Sequence, residues 1–187
     1  MTRSLYLLGL ATAVAAFSAP AQAQEPPRRT FEGPRLEGVV GTDGDLFYGG
    51  AIGYDMQRGK IVLGLEGELD LASAHHCQTL DPSINDSYCI KRQRDVYIGG
   101  RIGIAVAPGT LLYGKVGYTS LRERATYDGG SAGGSFDFTG SFGGVRVGAG
   151  IEQRLGSNLY VKGEYRYSNY DLGGWKHDGV VGLGIRF

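Results

Sequence analysis

The chain has 187 residues, 33 of them glycine, and its 19 Lys and Arg cancel its 19 Asp and Glu to a formal charge of zero at pH 7. Balanced charge argues against a nucleic-acid partner, no apolar run reaches the ~18 residues of a spanning helix, and the glycines lack the three-residue period of collagen. With 12 Tyr and 7 Phe the chain is too aromatic for simple disorder, and glycine with alternating aromatics suggests β structure.

Residues 1–23 carry one cation, Arg3, then an apolar stretch from Leu5 to Phe17 and small residues ending Ala21-Gln22-Ala23. This reads as a secretory signal peptide, cut after Ala23 or, alternatively, after Ala21. Residues 24–34, with Pro26-Pro27-Arg28-Arg29, have no apolar periodicity and read as an extended periplasmic leader. A single domain is expected over residues 35–187.

Eight segments of that domain alternate with a period of two, the signature of strands with one apolar and one polar face. Residues 35–42 set Leu36 and Val40 against Glu37, and 46–55 set Tyr48, Ile52 and Tyr54 against Ala51 and Gly53. In 60–72, Ile61, Leu63, Leu65, Leu69 and Leu71 oppose Val62, Gly64, Glu66, Glu68 and Asp70; in 95–106, Val96, Ile98, Ile102 and Ile104 oppose Tyr97, Gly99, Arg101 and Gly103. Residues 111–121 and 143–155 continue with Leu112, Val116 and Val145, Val147, Ile151 on the apolar side, and Lys115, Arg146 and Glu152 on the other. Residues 159–170 set Leu159, Val161, Tyr165 and Tyr167 against Tyr160, Lys162, Glu164 and Arg166, and 178–187 set Val181, Leu183, Ile185 and Phe187 against Val180, Gly182, Gly184 and Arg186.

The connections alternate in length as well. Residues 56–59, 107–110 and 156–158 are short, whereas 73–94 and 122–142 are long and 171–177 intermediate; 43–45 is the short exception on the long-loop side. Short turns at one end and long loops at the other belong to outer-membrane barrels. Cys77 and Cys89 share the first long loop, and in an exported chain such a pair is read as a disulfide in preference to a metal site. His75 and His76 beside them are read as solvated.

The charged face is also the glycine face, with Gly64, Gly99, Gly103, Gly117, Gly148, Gly150, Gly182 and Gly184. Glycine weakens strands, so a glycine-lined outer surface would be a poor use of it, while a narrow barrel needs small residues inside to admit long charged side chains. The expected fold is therefore all-β, an eight-stranded antiparallel up-and-down transmembrane β-barrel with the polar face as lumen. Tyr48, Tyr54, Tyr118, Tyr165, Tyr167 and Phe187 would form its aromatic girdles. The lumen would hold six acids, Glu37, Glu66, Glu68, Asp70, Glu152 and Glu164, against six bases, Arg101, Lys115, Arg146, Lys162, Arg166 and Arg186. Glu66 is expected to face Arg101, with Lys115 one strand further, Glu152 to face Lys162, and Glu37 to meet Arg186 across the closing seam.

The stretch Lys162-Gly163-Glu164-Tyr165-Arg166-Tyr167-Ser168-Asn169-Tyr170 and the terminal Val181-Gly182-Leu183-Gly184-Ile185-Arg186-Phe187 resemble the porin-family outer-membrane barrels that group with OmpA-like and opacity-type proteins. The resemblance covers residues 35–187. It implies the cell outer membrane as the location, outer-membrane lipid as surroundings, and recognition by the barrel-assembly machinery through Gly182, Ile185 and Phe187. Val180 departs from that signal, which prefers a polar residue there.

The leading functional expectation is a non-enzymatic surface protein without cofactor, whose barrel has a structural role in supporting the envelope and which meets any extracellular ligand through loops 73–94 and 122–142. A small channel is the alternative, although porins use about 16 strands for an aqueous lumen. A lipid-modifying barrel enzyme is the third, with His177, Ser168 and Asp178 the residues to examine.

Overall fold

The computed structural model describes residues 30–72, 75–171 and 174–187; the expected signal peptide and most of the leader lie outside them. Nine strands follow in chain order: β1 (Gly33–Thr42), β2 (Leu46–Arg58), β3 (Ile61–Ala72), β4 (His75–Gln78), β5 (Ser87–Ala107), β6 (Thr110–Asp128), β7 (Ser135–Arg154), β8 (Leu159–Tyr170) and β9 (Gly174–Arg186). Every pairing is antiparallel, and all but two join sequence neighbours. Strand β3 pairs directly with β5, Glu66 lying opposite Gly99, and β1 pairs with β9, Val40 opposite Val181. The second pairing closes eight strands into a ring, leaving β4 as a short addition to β5 beyond it.

The period-two pattern decides which side chains face out. Leu65, Ile98 and Ile52 are 72%, 67% and 65% exposed, whereas Glu66, Tyr97 and Ala51 beside them are buried. An apolar belt this extensive around a closed sheet is suited to hydrocarbon, where each backbone N–H and C=O must find its partner within the protein. Several glycines on the inner face give room to large neighbours: a methyl group at Gly64, Gly99 or Gly184 would run into Asp55, Tyr97 and Tyr160 respectively.

Three boundaries differ from the sequence expectation. Strand β2 continues to Arg58 and turns at Gly59, whose φ of +61 suits glycine, so Asp55 and Gln57 enter the lumen. Strand β9 begins at Gly174, shortening the last outer connection. Most important, the expected loops 73–94 and 122–142 are largely strand, because β5, β6 and β7 run for 21, 19 and 20 residues. Above the lipid neither face has to be apolar throughout, so the continuous aliphatic alternation of the lower halves gives way, Phe136 and Phe138 still alternating with Asp137 and Thr139 in β7, while the hydrogen-bonded ladder goes on. A bulge between Arg92 and Arg94 marks the change.

At the opposite end, the described end of the leader is not extended away from the barrel. Phe31 is 1% exposed and packs on Val62, Leu111 and Tyr113. Its N–H donates to Gln57 Oε1 at 2.8 Å, its carbonyl accepts from Arg186 at 2.9 Å, and Arg154 donates to the Thr30 carbonyl at 3.0 Å. The chain thus stoppers the turn-side mouth before entering β1. Phe31→Ala should lower stability by about 3–5 kcal/mol, read from urea unfolding in lipid vesicles; a loss under ~1 kcal/mol would mean the stopper contributes little.

Candidate functional site

The inward half of each strand places acids and bases at successive heights in the tube. Nearest the turns, Asp55 accepts from Arg101 at 2.9 Å and from Arg186 at 2.6 Å, and Glu152 accepts from the same two arginines at 3.1 and 2.8 Å. At mid-height Glu66 accepts from Arg35 at 2.6 Å and Lys115 at 2.8 Å, and Glu164 from Lys115 at 2.7 Å and the Tyr113 hydroxyl at 2.6 Å. Glu37 joins this tier through Arg35, Lys162 and the Tyr160 hydroxyl at 2.8 Å. Towards the outer mouth Glu68 accepts from Arg166 at 2.6 Å and Arg146 at 3.2 Å, and Asp70 from Arg166 at 3.2 Å. Asp95 closes the column, accepting from Arg146, Tyr170 at 2.7 Å and Thr119 at 2.6 Å.

All twelve residues expected in the lumen, from Glu37 to Arg186, are buried there, but the partners differ from those expected. Register sets Gly64 opposite Arg101 and Glu66 opposite Gly99, which puts Arg101 closer to the turns than Glu66, within reach of Asp55 and Glu152. Glu152 does lie opposite Lys162 in the ladder, yet Lys162 goes to Glu37 and Glu164. Across the seam Arg35, not Glu37, is opposite Arg186; the two arginines tolerate each other because Asp55 binds both, at 3.2 and 2.6 Å. Long side chains converge on the axis of a narrow tube and meet across it, so ladder neighbours are poor guides to ion partners.

Sequence reasoning missed Arg35, Asp55, Asp95 and Lys176 as lumen or mouth charges; Asp178, read as a solvated rim residue, is buried. Parity would have found them: Arg35 is two residues before Glu37, Asp55 two after Gly53, and Asp95 two before Tyr97. Tyr97 also serves the network, with Lys115 Nζ 4.7 Å and the Arg146 guanidinium 5.5 Å from its ring centre.

Beyond the barrel, β4 to β7 form a mainly polar sheet that also exposes Phe136, stacked on Tyr127, and Phe138. Cys77 and Cys89 are opposite each other in the β4–β5 ladder and joined by a disulfide, which leaves neither sulfur as a thiolate for a metal. His76 Nε2 meets Asp45 at 2.8 Å, tying β4 to the first outer turn. The 79–86 connection is organised by Asp86, which accepts from the N–H groups of Leu80 and Asp81 at 2.9 and 2.7 Å. Hydrogen bonds from the Ser83 hydroxyl and N–H hold the Asp81 carboxyl below the usual carboxylate range. Ser131 N–H donates to the Ile84 carbonyl at 2.9 Å, so the two outer connections brace each other.

No hydrolytic constellation forms from His177, Ser168 and Asp178. Ser168 and Asp178 point inward, Ser168 accepting from Arg146 at 2.9 Å, while His177 is exposed among Tyr165, Tyr167 and Trp175.

A closed eight-stranded antiparallel ring, apolar outside and charged within, defines a transmembrane β-barrel of the outer-membrane class. The chain belongs to the outer membrane protein beta-barrel domain family, whose model matches residues 9–187. It is 28% identical over 188 residues to the 22 kDa outer membrane protein of Rhizobium leguminosarum bv. viciae, covering 89% of this chain and 82% of that one. Solved structures share the fold at low identity. A major outer membrane protein from Thermus thermophilus matches with TM-score 0.57 and 11% identity, over 82% of this chain and 99% of that one. The N-terminal β-barrel domain of Pseudomonas aeruginosa OprF matches at 0.54 and 15%, over 83% and 98%. Ail of Yersinia pestis, in complex with the heparin analogue sucrose octasulfate, matches at 0.52 and 14%, over 84% and 100%. The chain is an outer-membrane protein.

The ion network is testable by double-mutant cycles. Glu66→Gln or Lys115→Met alone should cost about 3–5 kcal/mol, because each strands a buried charge. The Glu66/Lys115 coupling should clearly exceed the Glu66/Arg101 coupling; equal couplings would refute the partner assignment.

Proposed function

We propose that this protein is a non-enzymatic, non-conducting surface protein: a barrel that anchors the β4–β7 sheet outside the cell. One observation carries the reading, namely that the lumen is filled by ion-paired side chains whose exposures are 0–5% at every tier. A conducting tube needs continuous water, and Phe31 adds a stopper at one mouth. Nothing specific favours the channel or the lipid-modifying enzyme. The outer sheet, stiffened by its disulfide, is the surface on which an extracellular ligand would be met, through residues 73–94 and 122–142. Ail's sulfated ligand makes a polyanionic partner one candidate for such a surface.

Planar-bilayer recordings should show no conductance steps above noise, and an epitope inserted after Ser131 should be labelled on intact cells. Regular steps, or labelling only after lysis, would overturn the reading.

Assembly is assigned to the C-terminal strand, read by the barrel-assembly machinery through Gly182, Ile185 and Phe187. Phe187 is 68% exposed on the lipid side and its N–H donates to the Pro34 carbonyl at 3.0 Å across the seam. Phe187→Asn should reduce the folded, heat-modifiable form recovered from outer membranes; unchanged recovery would refute this role.

A further inference from the structure

Just beyond the apolar belt, β5 and β6 place two arginines directly opposite each other, Arg94 and Arg122. Both are exposed, and neither has an ion-pair partner among the described residues. One step further from the membrane the pattern repeats: Lys91 lies opposite Arg124, and His75 opposite Lys91. Arg124 is answered by Asp137 at 2.9 Å, whereas Lys91 has no carboxylate partner among the described residues.

Like charges directly opposite in a sheet are destabilising. Inside the barrel the corresponding problem is solved, since Arg35 and Arg186 share Asp55. On the outside no described residue of the chain does for Arg94 and Arg122 what Asp55 does there. The position narrows what could. Arg94 pairs in register with Leu71 and lies two residues from Val96, and Arg122 lies four from Tyr118 on the same face; Leu71, Val96 and Tyr118 all belong to the lipid-facing surface. An anion held between the arginines would therefore sit at head-group height, with its acyl chains lying along these apolar side chains. A small soluble anion would gain nothing from them.

We propose that Arg94 and Arg122, with Lys91 behind them, form a binding site for the anionic head group of an outer-leaflet glycolipid. Guanidinium groups grip such oxyanions through charge-assisted, often bidentate hydrogen bonds. The bulge between Arg92 and Arg94 contributes by sending Arg92 to the other face, where it serves Asp43 and Glu123. The site rests on the outward orientation proposed above. Labelling at Ser131 on intact cells tests that orientation separately, while binding in detergent does not depend on it.

The test is native mass spectrometry of the refolded full chain in zwitterionic detergent, titrated with diphosphorylated lipid A and with its dephosphorylated form. Arg94→Ser/Arg122→Ser should weaken retention of the phosphorylated lipid at least about tenfold, while leaving the weak retention of the dephosphorylated lipid unchanged. Arg58→Ser/Lys60→Ser, which removes exposed cations at the turn end, should bind as the parent chain does. Arg122→Glu supplies Arg94 with a carboxylate of its own; it should fold, by heat-modifiable migration, and lose the phosphorylated lipid. The proposal is overturned if the double serine variant binds like the parent, if the dephosphorylated lipid binds as tightly, or if inorganic phosphate or sucrose octasulfate displaces the lipid at equal concentration.

Discussion

A polypeptide in hydrocarbon has no water to satisfy its backbone, and this requirement governs the rest of the molecule. A sheet can meet it only by closing, and here the closure is the β1–β9 ladder. Eight strands make a narrow tube, so half of the residues in each membrane-spanning stretch are delivered to a small common volume. What can live in that volume is a question of size before it is one of charge. Glycines at alternate positions leave room for Tyr97, Tyr160, Asp55 and Lys162 to lie over neighbouring strands.

The charges then solve a problem that they also create. An isolated ion in this buried interior would be prohibitively costly, but each lumen base is set against two or more carboxylates and each lumen carboxylate against at least one base. The resulting column, from Asp55 through Glu66 to Asp95, has no apolar layer separating its tiers. Arg35 links the lower tier to the middle and Arg166 the middle to the upper. A network of this kind is weak evidence for large net stability. Its surer effect is on specificity, because a one-residue slip of any strand would turn its acids and bases into lipid.

Outside the membrane the rules relax, and the same strands carry a different kind of surface. With water on both faces the ladder can continue without apolar alternation, which is why β5, β6 and β7 extend far beyond the lipid. The disulfide pins β4 to that extension, and the 79–86 and 129–134 connections hold each other. The chain thus presents an ordered platform where long loops would be expected, and at its base, just beyond the apolar belt, stand Arg94 and Arg122, without an ion-pair partner among the described residues.

Much of this was legible in the sequence because the membrane imposes a period of two, and period survives without coordinates. The alternation of Leu63, Leu65 and Leu69 with Gly64, Glu66 and Glu68 determined the strand, its lipid face and its lumen face, and the terminal Ile185-Arg186-Phe187 carried the family resemblance. The tertiary structure alone decided who meets whom inside. Ion partners depend on strand stagger and on side chains crossing the axis, so Glu66 finds Lys115 and Arg35 instead of Arg101. The outer sheet was legible only in part: Phe136 and Phe138 alternate with Asp137 and Thr139, but with water on both faces no continuous aliphatic face runs through the outer halves of β5, β6 and β7 to mark them as strand. The place of Phe31 was invisible, because one aromatic in a leader shows its role only when the mouth it fills has been built.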